Sequence, residues 1–125
     1  MELTINGTVY RFKFGIGFMR DINKDVQVPV DGAPGVKRDT GLAYNVARAI
    51  DGDVDALINI LLKANKGFEP RLTQSVIDDY IDREDTDIDQ LSDTVIDFLR
   101  KSNATKKQTE SLLKIAEESE TENGK

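Results

Sequence analysis

The sequence predicts an α+β fold, an N-terminal β-hairpin packed on a cluster of four to five α-helices. Three observations carry this expectation. Two alternating apolar–polar runs flank Asn6-Gly7, apolar residues recur three and four apart over most of the remaining chain, and no βαβ pattern or internal repeat is present. At 125 residues the length prior is one domain with a modest core. Its expected extent is 1–118, with the polar stretch 119–125 expected to be a disordered tail.

The hairpin is expected over about 2–14. Asn6-Gly7 suits a type I′ turn, whose two central residues both need positive φ. Pairing across it would place Leu3, Ile5, Phe12 and Phe14 on one face and turn Thr4, Arg11 and Lys13 to water. A lone hairpin is marginal in water, so helices must cover the apolar face. From Ile16 to Asn23 the spacing of Phe18, Met19 and Ile22 fits a short helix entered through Gly15 and Gly17. Residues 25–39 hold Asp31-Gly32 and Pro34-Gly35 and read as an exposed loop, extended around Val26 to Val30 and suited to ordering on binding.

Helices are expected over about 40–118. Asp39 or Thr40 can cap the first, with Leu42, Ala43, Val46, Ala47 and Ile50 along one stripe. Asp51-Gly52 breaks it, and Asp53 caps the next, whose Val54, Leu57, Ile58, Leu61 and Leu62 form the most apolar face of the chain. Asn65 to Gly67 ends that helix and Glu69-Pro70 opens a linker. Thr73 can cap a helix burying Val76 and Ile77. A further helix carries Ile88, Leu91, Val95, Phe98 and Leu99 on one side. The last expected helix, about Thr105 to Glu118, has apolar residues only at Leu112, Leu113, Ile115 and Ala116. That face either docks on the domain or awaits a partner.

Composition narrows the function classes. The formal net charge is -6 and the sequence pI about 4.7, which argues against nucleic acid as the main partner. Nine acidic side chains lie between Asp78 and Asp97 against one base, Arg83, and this reads first as a solvated face. Mean hydropathy is -0.44, and no apolar run approaches the roughly 20 residues of a membrane span. The alternating first residues lack a basic leader region, so neither a secretory signal nor a membrane partner is expected.

No catalytic, cofactor-binding or metal site is expected. Histidine and cysteine are both absent, removing the commonest general base, the usual zinc ligands and thiolate chemistry. Asp85-x-Asp87-x-Asp89 imitates the start of a calcium loop, but Gln90 stands at the turn-glycine position and Ile96 at that of the bidentate Glu. Asp51-x-Asp53-x-Asp55 fails likewise, with Ala56 and Leu62 at those positions. Gly15-x-Gly17 lacks the third glycine of a dinucleotide fingerprint, since Arg20 stands there. The aromatic set Phe12, Phe14 and Phe18, with Met19, reads first as core between hairpin and helices, and second as an interaction surface.

The opening, Leu3-Thr4-Ile5-Asn6-Gly7-x-x-Tyr10-x-Phe12-x-Phe14-Gly15-Ile16-Gly17-Phe18, resembles that of tail assembly chaperones from long-tailed phages and prophages of Gram-positive bacteria. Gly41-Leu42, the segment Asp53 to Lys63 and the stretch Lys101-Ser102-Asn103-Ala104-Thr105-Lys106-Lys107 extend the similarity, while the long Pro/Gly loop departs from it. The resemblance implies a non-enzymatic protein that holds the tape measure protein in the bacterial host cytoplasm until tail tube subunits replace it, and that is absent from the mature virion. It also implies that a longer frameshifted product is common in the family. The tape measure protein is the expected partner, with the tail tube protein and further copies of the chain as additional candidates. Expected contact residues are Phe18, Met19, Leu112, Leu113 and Ile115, with the 25–39 loop. The alternative class is a structural adaptor or head–tail connector subunit that stays in the virion.

Overall fold

Asn6 and Gly7 adopt φ of 53° and 80°, closing β1 (Glu2–Ile5) on β2 (Thr8–Arg11) as an antiparallel hairpin. Leu3 pairs with Tyr10 and Ile5 with Thr8. Tyr10 therefore joins Ile5, Phe12 and Phe14 in the core, while Leu3 packs partly buried against it. In this computed structural model, which describes residues 1–123, six helices follow: α1 (Ile16–Asn23), α2 (Gly41–Ile50), α3 (Val54–Asn65), α4 (Gln74–Asp82), α5 (Ile88–Lys101) and α6 (Lys106–Asn123). The α+β class is as expected, with one helix more than the upper estimate.

The centre of the core is α3. It buries Ala56, Leu57, Ile58, Ile60, Leu61 and Ala64, a wider band than the predicted stripe, which omits Ile60. A helix apolar on most sides belongs in the middle of a domain, and α1, α2 and α4 all pack on α3. Each fully buried leucine there, such as Leu61, contributes about 1.5–3 kcal/mol of transfer free energy. Side-chain caps start three helices: Asp53 accepts from Ala56 N, Thr73 from Val76 N and Asp87 from Gln90 N.

The expected cap of α2 is corrected by the structure. Thr40 occupies the cap position without a side-chain bond, and Asn23 supplies the acceptor instead, its Oδ1 taking Leu42 N–H at 2.9 Å. This substitution is possible because α1 and α2 touch at Gly41, where a Cβ would lie 1.8 Å from the Ile22 carbonyl oxygen. Only glycine permits that approach.

The 25–39 segment is exposed as expected, but it is a second hairpin and not an irregular loop. β3 (Gln27–Pro29) pairs antiparallel with β4 (Lys37–Asp39), and Val30 N donates to Val36 O at the base of the turn. Val28 and Val30 are half-buried, and β4 is exposed throughout, so this arm stands away from the core.

α6 packs on α2 and α5. Its inward stripe begins with two threonines that the apolar pattern passes over. Thr105, just before the helix, and Thr109 are fully buried, and their hydroxyls donate to Leu99 O at 2.6 Å and Thr105 O at 2.8 Å. The tail expected to be disordered from Ser119 is helical through Asn123; Gly124 and Lys125 lie outside the described residues. No helix among the described residues is long and apolar enough to cross a membrane.

Candidate partner-binding surface

The chain leaving β2 is fixed at three points before it enters α1. Arg11 O accepts from Asn65 Nδ2 at 3.0 Å, Lys13 N donates to Ala64 O at 2.9 Å, and Phe14 O accepts from the Ser102 hydroxyl. Asn65 is fully buried, and its Oδ1 also accepts Leu72 N–H and an Arg71 N–H, so one side chain binds the hairpin exit to the α3–α4 linker. The fixed backbone aims Phe14 and Phe18 inward, edge to face at 5.3 Å between ring centres. Ile16 and Gly17, between them, are left outside. Ile16 is 52% exposed at the start of α1.

These residues rim an open groove of about 600 Å³ between α1 and the end of α3. Ile16 and Phe68 supply apolar lining, and Lys13, Arg20, Lys24, Lys63 and Lys66 supply positive charge, with Asp21 the single acid among the lining residues. Lys66 pairs with Asp21 at 3.3 Å, and Lys63 with Asp25 at 3.1 Å. The side chains of Lys13, Arg20 and Lys24 have no anionic partner among the described residues. A shallower depression adjoins the groove across Lys13 and Gly15 and reaches Phe98, Lys101 and Ser102. Phe98 is 39% exposed, with its ring 6.2 Å from that of Phe14. It therefore leaves the buried stripe of α5 predicted for it, and only Leu91, Val95 and Leu99 are buried.

The five sequence-predicted contact residues separate by burial. Phe18, 6% exposed, belongs to the core, the first of the two readings given for the aromatic set, and its remaining exposed edge lines the groove. Met19 is half-buried against the core, its sulfur accepting from Asn23 Nδ2. Leu112 packs partly buried on the core, Leu113 is half-buried, and Ile115, 58% exposed, is the one of the five open to solvent. Phe18 and Met19 lie in α1 and the other three in α6, so they form no single patch. Ile16, Arg20, Lys24 and Phe68 line the groove but are not among the contact residues read from the sequence. The available signal was Gly17, a glycine inside a helical pattern.

Among the described residues no three acidic side chains gather where a metal ion could sit. The titrating groups that shift do so in surface pairs away from the groove. Asp53 is held below the usual carboxylate range, first by the Ala56 N–H it accepts and then by the Arg48 guanidinium. Arg48 is raised in turn by Asp53, and Arg100 by Glu110. Asp53 thus serves as a helix cap, and nothing in its setting activates it as an acid or base.

Comparison with curated proteins and with solved structures gives no match. A family model described as phage tail assembly chaperone protein, TAC, matches residues 2–114, from the hairpin through most of the docked part of α6. The two stretches that carry the resemblance meet in space, since Ser102 bonds to Phe14 at the hairpin exit. The chain belongs to the phage tail assembly chaperone family.

Proposed function

We propose that this protein is a non-catalytic chaperone that binds the tape measure protein in the host cytoplasm, keeps it soluble, and yields it to tail tube subunits as they polymerise. The observation that carries the reading is the family match over 2–114, which spans both signature stretches and the groove beside them. The exposed apolar residues support a releasable hold. Ile16, Val36, Phe98 and Ile115 are dispersed over different elements, and dispersed contacts suit exchange better than one permanent apolar interface.

Co-expression tests the proposal. Tape measure protein made with this chain should partition to the soluble fraction, and made alone it should aggregate. Equal insolubility in both cultures rejects the chaperone role. Mass spectrometry of purified virions should find the chain absent, and its presence at stoichiometric level would instead favour a structural subunit.

A further inference from the structure

The groove between α1 and the end of α3 has three properties that the fold itself does not require. In a chain of net charge -6, Lys13, Arg20 and Lys24 gather on it without an anionic partner among the described residues. Like charges placed together repel unless an opposite charge is brought to them. Ile16, 52% exposed, lies beside them and sets an apolar side chain next to the bases in one groove. Gly17 lines the same groove. A Cβ there would meet nothing within 4 Å, and its φ lies outside the left-handed region, so neither space nor backbone conformation calls for glycine. Glycine is among the poorest helix formers, and its use inside α1 is explained if another backbone comes close to it.

We infer that this groove seats an amphipathic α-helix of a partner protein, its apolar face on Ile16 and Phe68 and its acidic edge against Lys13, Arg20 and Lys24. The inference rests on the chaperone reading and names the chemistry of the segment held. Gly17 lets the docked helix approach, and the bases fix its position and select against basic segments. A nucleic acid fits less well. The lining includes exposed apolar surface and Asp21, and a phosphate chain leaving the groove would meet a predominantly acidic protein.

The probe is a synthetic, labelled amphipathic peptide of about 20 residues, long enough to be helical, with leucines on one face and glutamates along its edges. Its control carries lysine in place of glutamate. Titrated with the full chain, the acidic peptide should bind and the lysine peptide should not. Arg20→Glu with Lys24→Glu should weaken binding at least about tenfold, and both side chains are exposed, so thermal melting should match wild type. Gly17→Leu provides a charge-neutral arm, abolishing binding while the fold persists, and Gly17→Ala should raise the melting temperature. Equal binding of both peptides, unchanged affinity in the double variant, or tighter binding of single-stranded DNA than of the acidic peptide overturns the inference. Co-expression with the tape measure protein separates the two proposals. If wild type solubilises it and the double variant does so equally, the groove inference falls and the chaperone reading stands. If wild type fails to solubilise it, the chaperone reading falls while the peptide titration still decides the groove.

Discussion

Gly41 marks the closest approach of two helices, and its hydrogen atom is the only side chain the Ile22 carbonyl tolerates. A methyl group there would have to push α1 and α2 apart. That separation would also lengthen the bond from Leu42 N–H to Asn23 Oδ1, which replaces the missing cap of α2. Gly41→Ala should therefore destabilise the fold by about 1–3 kcal/mol or more, an overpacking cost that exceeds the usual helical benefit of alanine. Urea denaturation checks this, and a variant as stable as wild type would mean that α1 can shift freely. Asp53 makes a second prediction at this scale. Its folded-state carboxyl lies below the ordinary range, because it accepts the Ala56 N–H and the Arg48 guanidinium. Its contribution is therefore complete above the unfolded-state pKa and is lost as pH falls through the folded-state value. Asn at this position can still cap but does not titrate. The melting-temperature gap between wild type and Asp53→Asn should thus shrink between about pH 5 and pH 3, modestly because the pair is solvent-exposed. A gap that stays constant would remove Asp53 from the acid response.

At the scale of elements, the β3–β4 hairpin and α6 depart most from the sequence reading, for different reasons. The hairpin carries two turn signals, Asp31-Gly32 and Pro34-Gly35, and they suggested a loop because the strands between which they lie are three residues each. Such short strands leave almost no alternation to read. Since the arm stands off the core, its turn is dispensable to the fold. Replacing Val30–Val36 by Asn-Gly, which would join the paired Pro29 and Lys37 directly, should change stability by no more than about 1 kcal/mol. A much larger loss in denaturant titration would show the tip packed on the domain. In α6 the difficulty was chemical. Periodicity counts Thr105 and Thr109 as polar, yet both are buried with their hydroxyls bonded to backbone carbonyls, so the apolar pattern alone left open whether this face docks or awaits a partner. By contrast, Asn6-Gly7, Asp53 and Thr73 were legible, because turns and caps are set by residues adjacent in sequence. The groove was not legible. Its lining joins residues 13–24 to 63–68, which only tertiary packing brings together, whereas the core reading of Phe12, Phe14 and Phe18 was legible, because Phe14 and Phe18 turn to the same side once α1 begins.

For the whole molecule, charge and fold are largely separable. The core is apolar, and its buried polar residues, Asn45, Asn65, Thr105 and Thr109, are held by hydrogen bonds that salt does not screen. The ion pairs Glu2–Arg11, Asp97–Lys101 and Arg100–Glu110 are exposed, and pairs of that kind add little to stability. Acids crowd from Asp78 to Asp97, in and between α4 and α5, while the groove beside α1 holds Lys13, Arg20 and Lys24, which have no anionic partner among the described residues. Raising ionic strength shortens the Debye length from about 10 Å at 0.1 M to about 3 Å at 1 M, which weakens attraction between exposed charges and leaves buried apolar contacts intact. Over that range the melting temperature should move by only a few degrees, with relief of repulsion among the acids offsetting the loss of the exposed pairs. Affinity for the acidic amphipathic peptide should fall about tenfold or more over the same range. Double substitution of Arg20 and Lys24 by Ser should flatten that salt dependence, because two of the charges that read the peptide's acidic edge are then gone. Affinity that resists salt in wild type would place recognition in the apolar contacts of Ile16 and Phe68 alone, and the three bases would then have no part in selecting the partner.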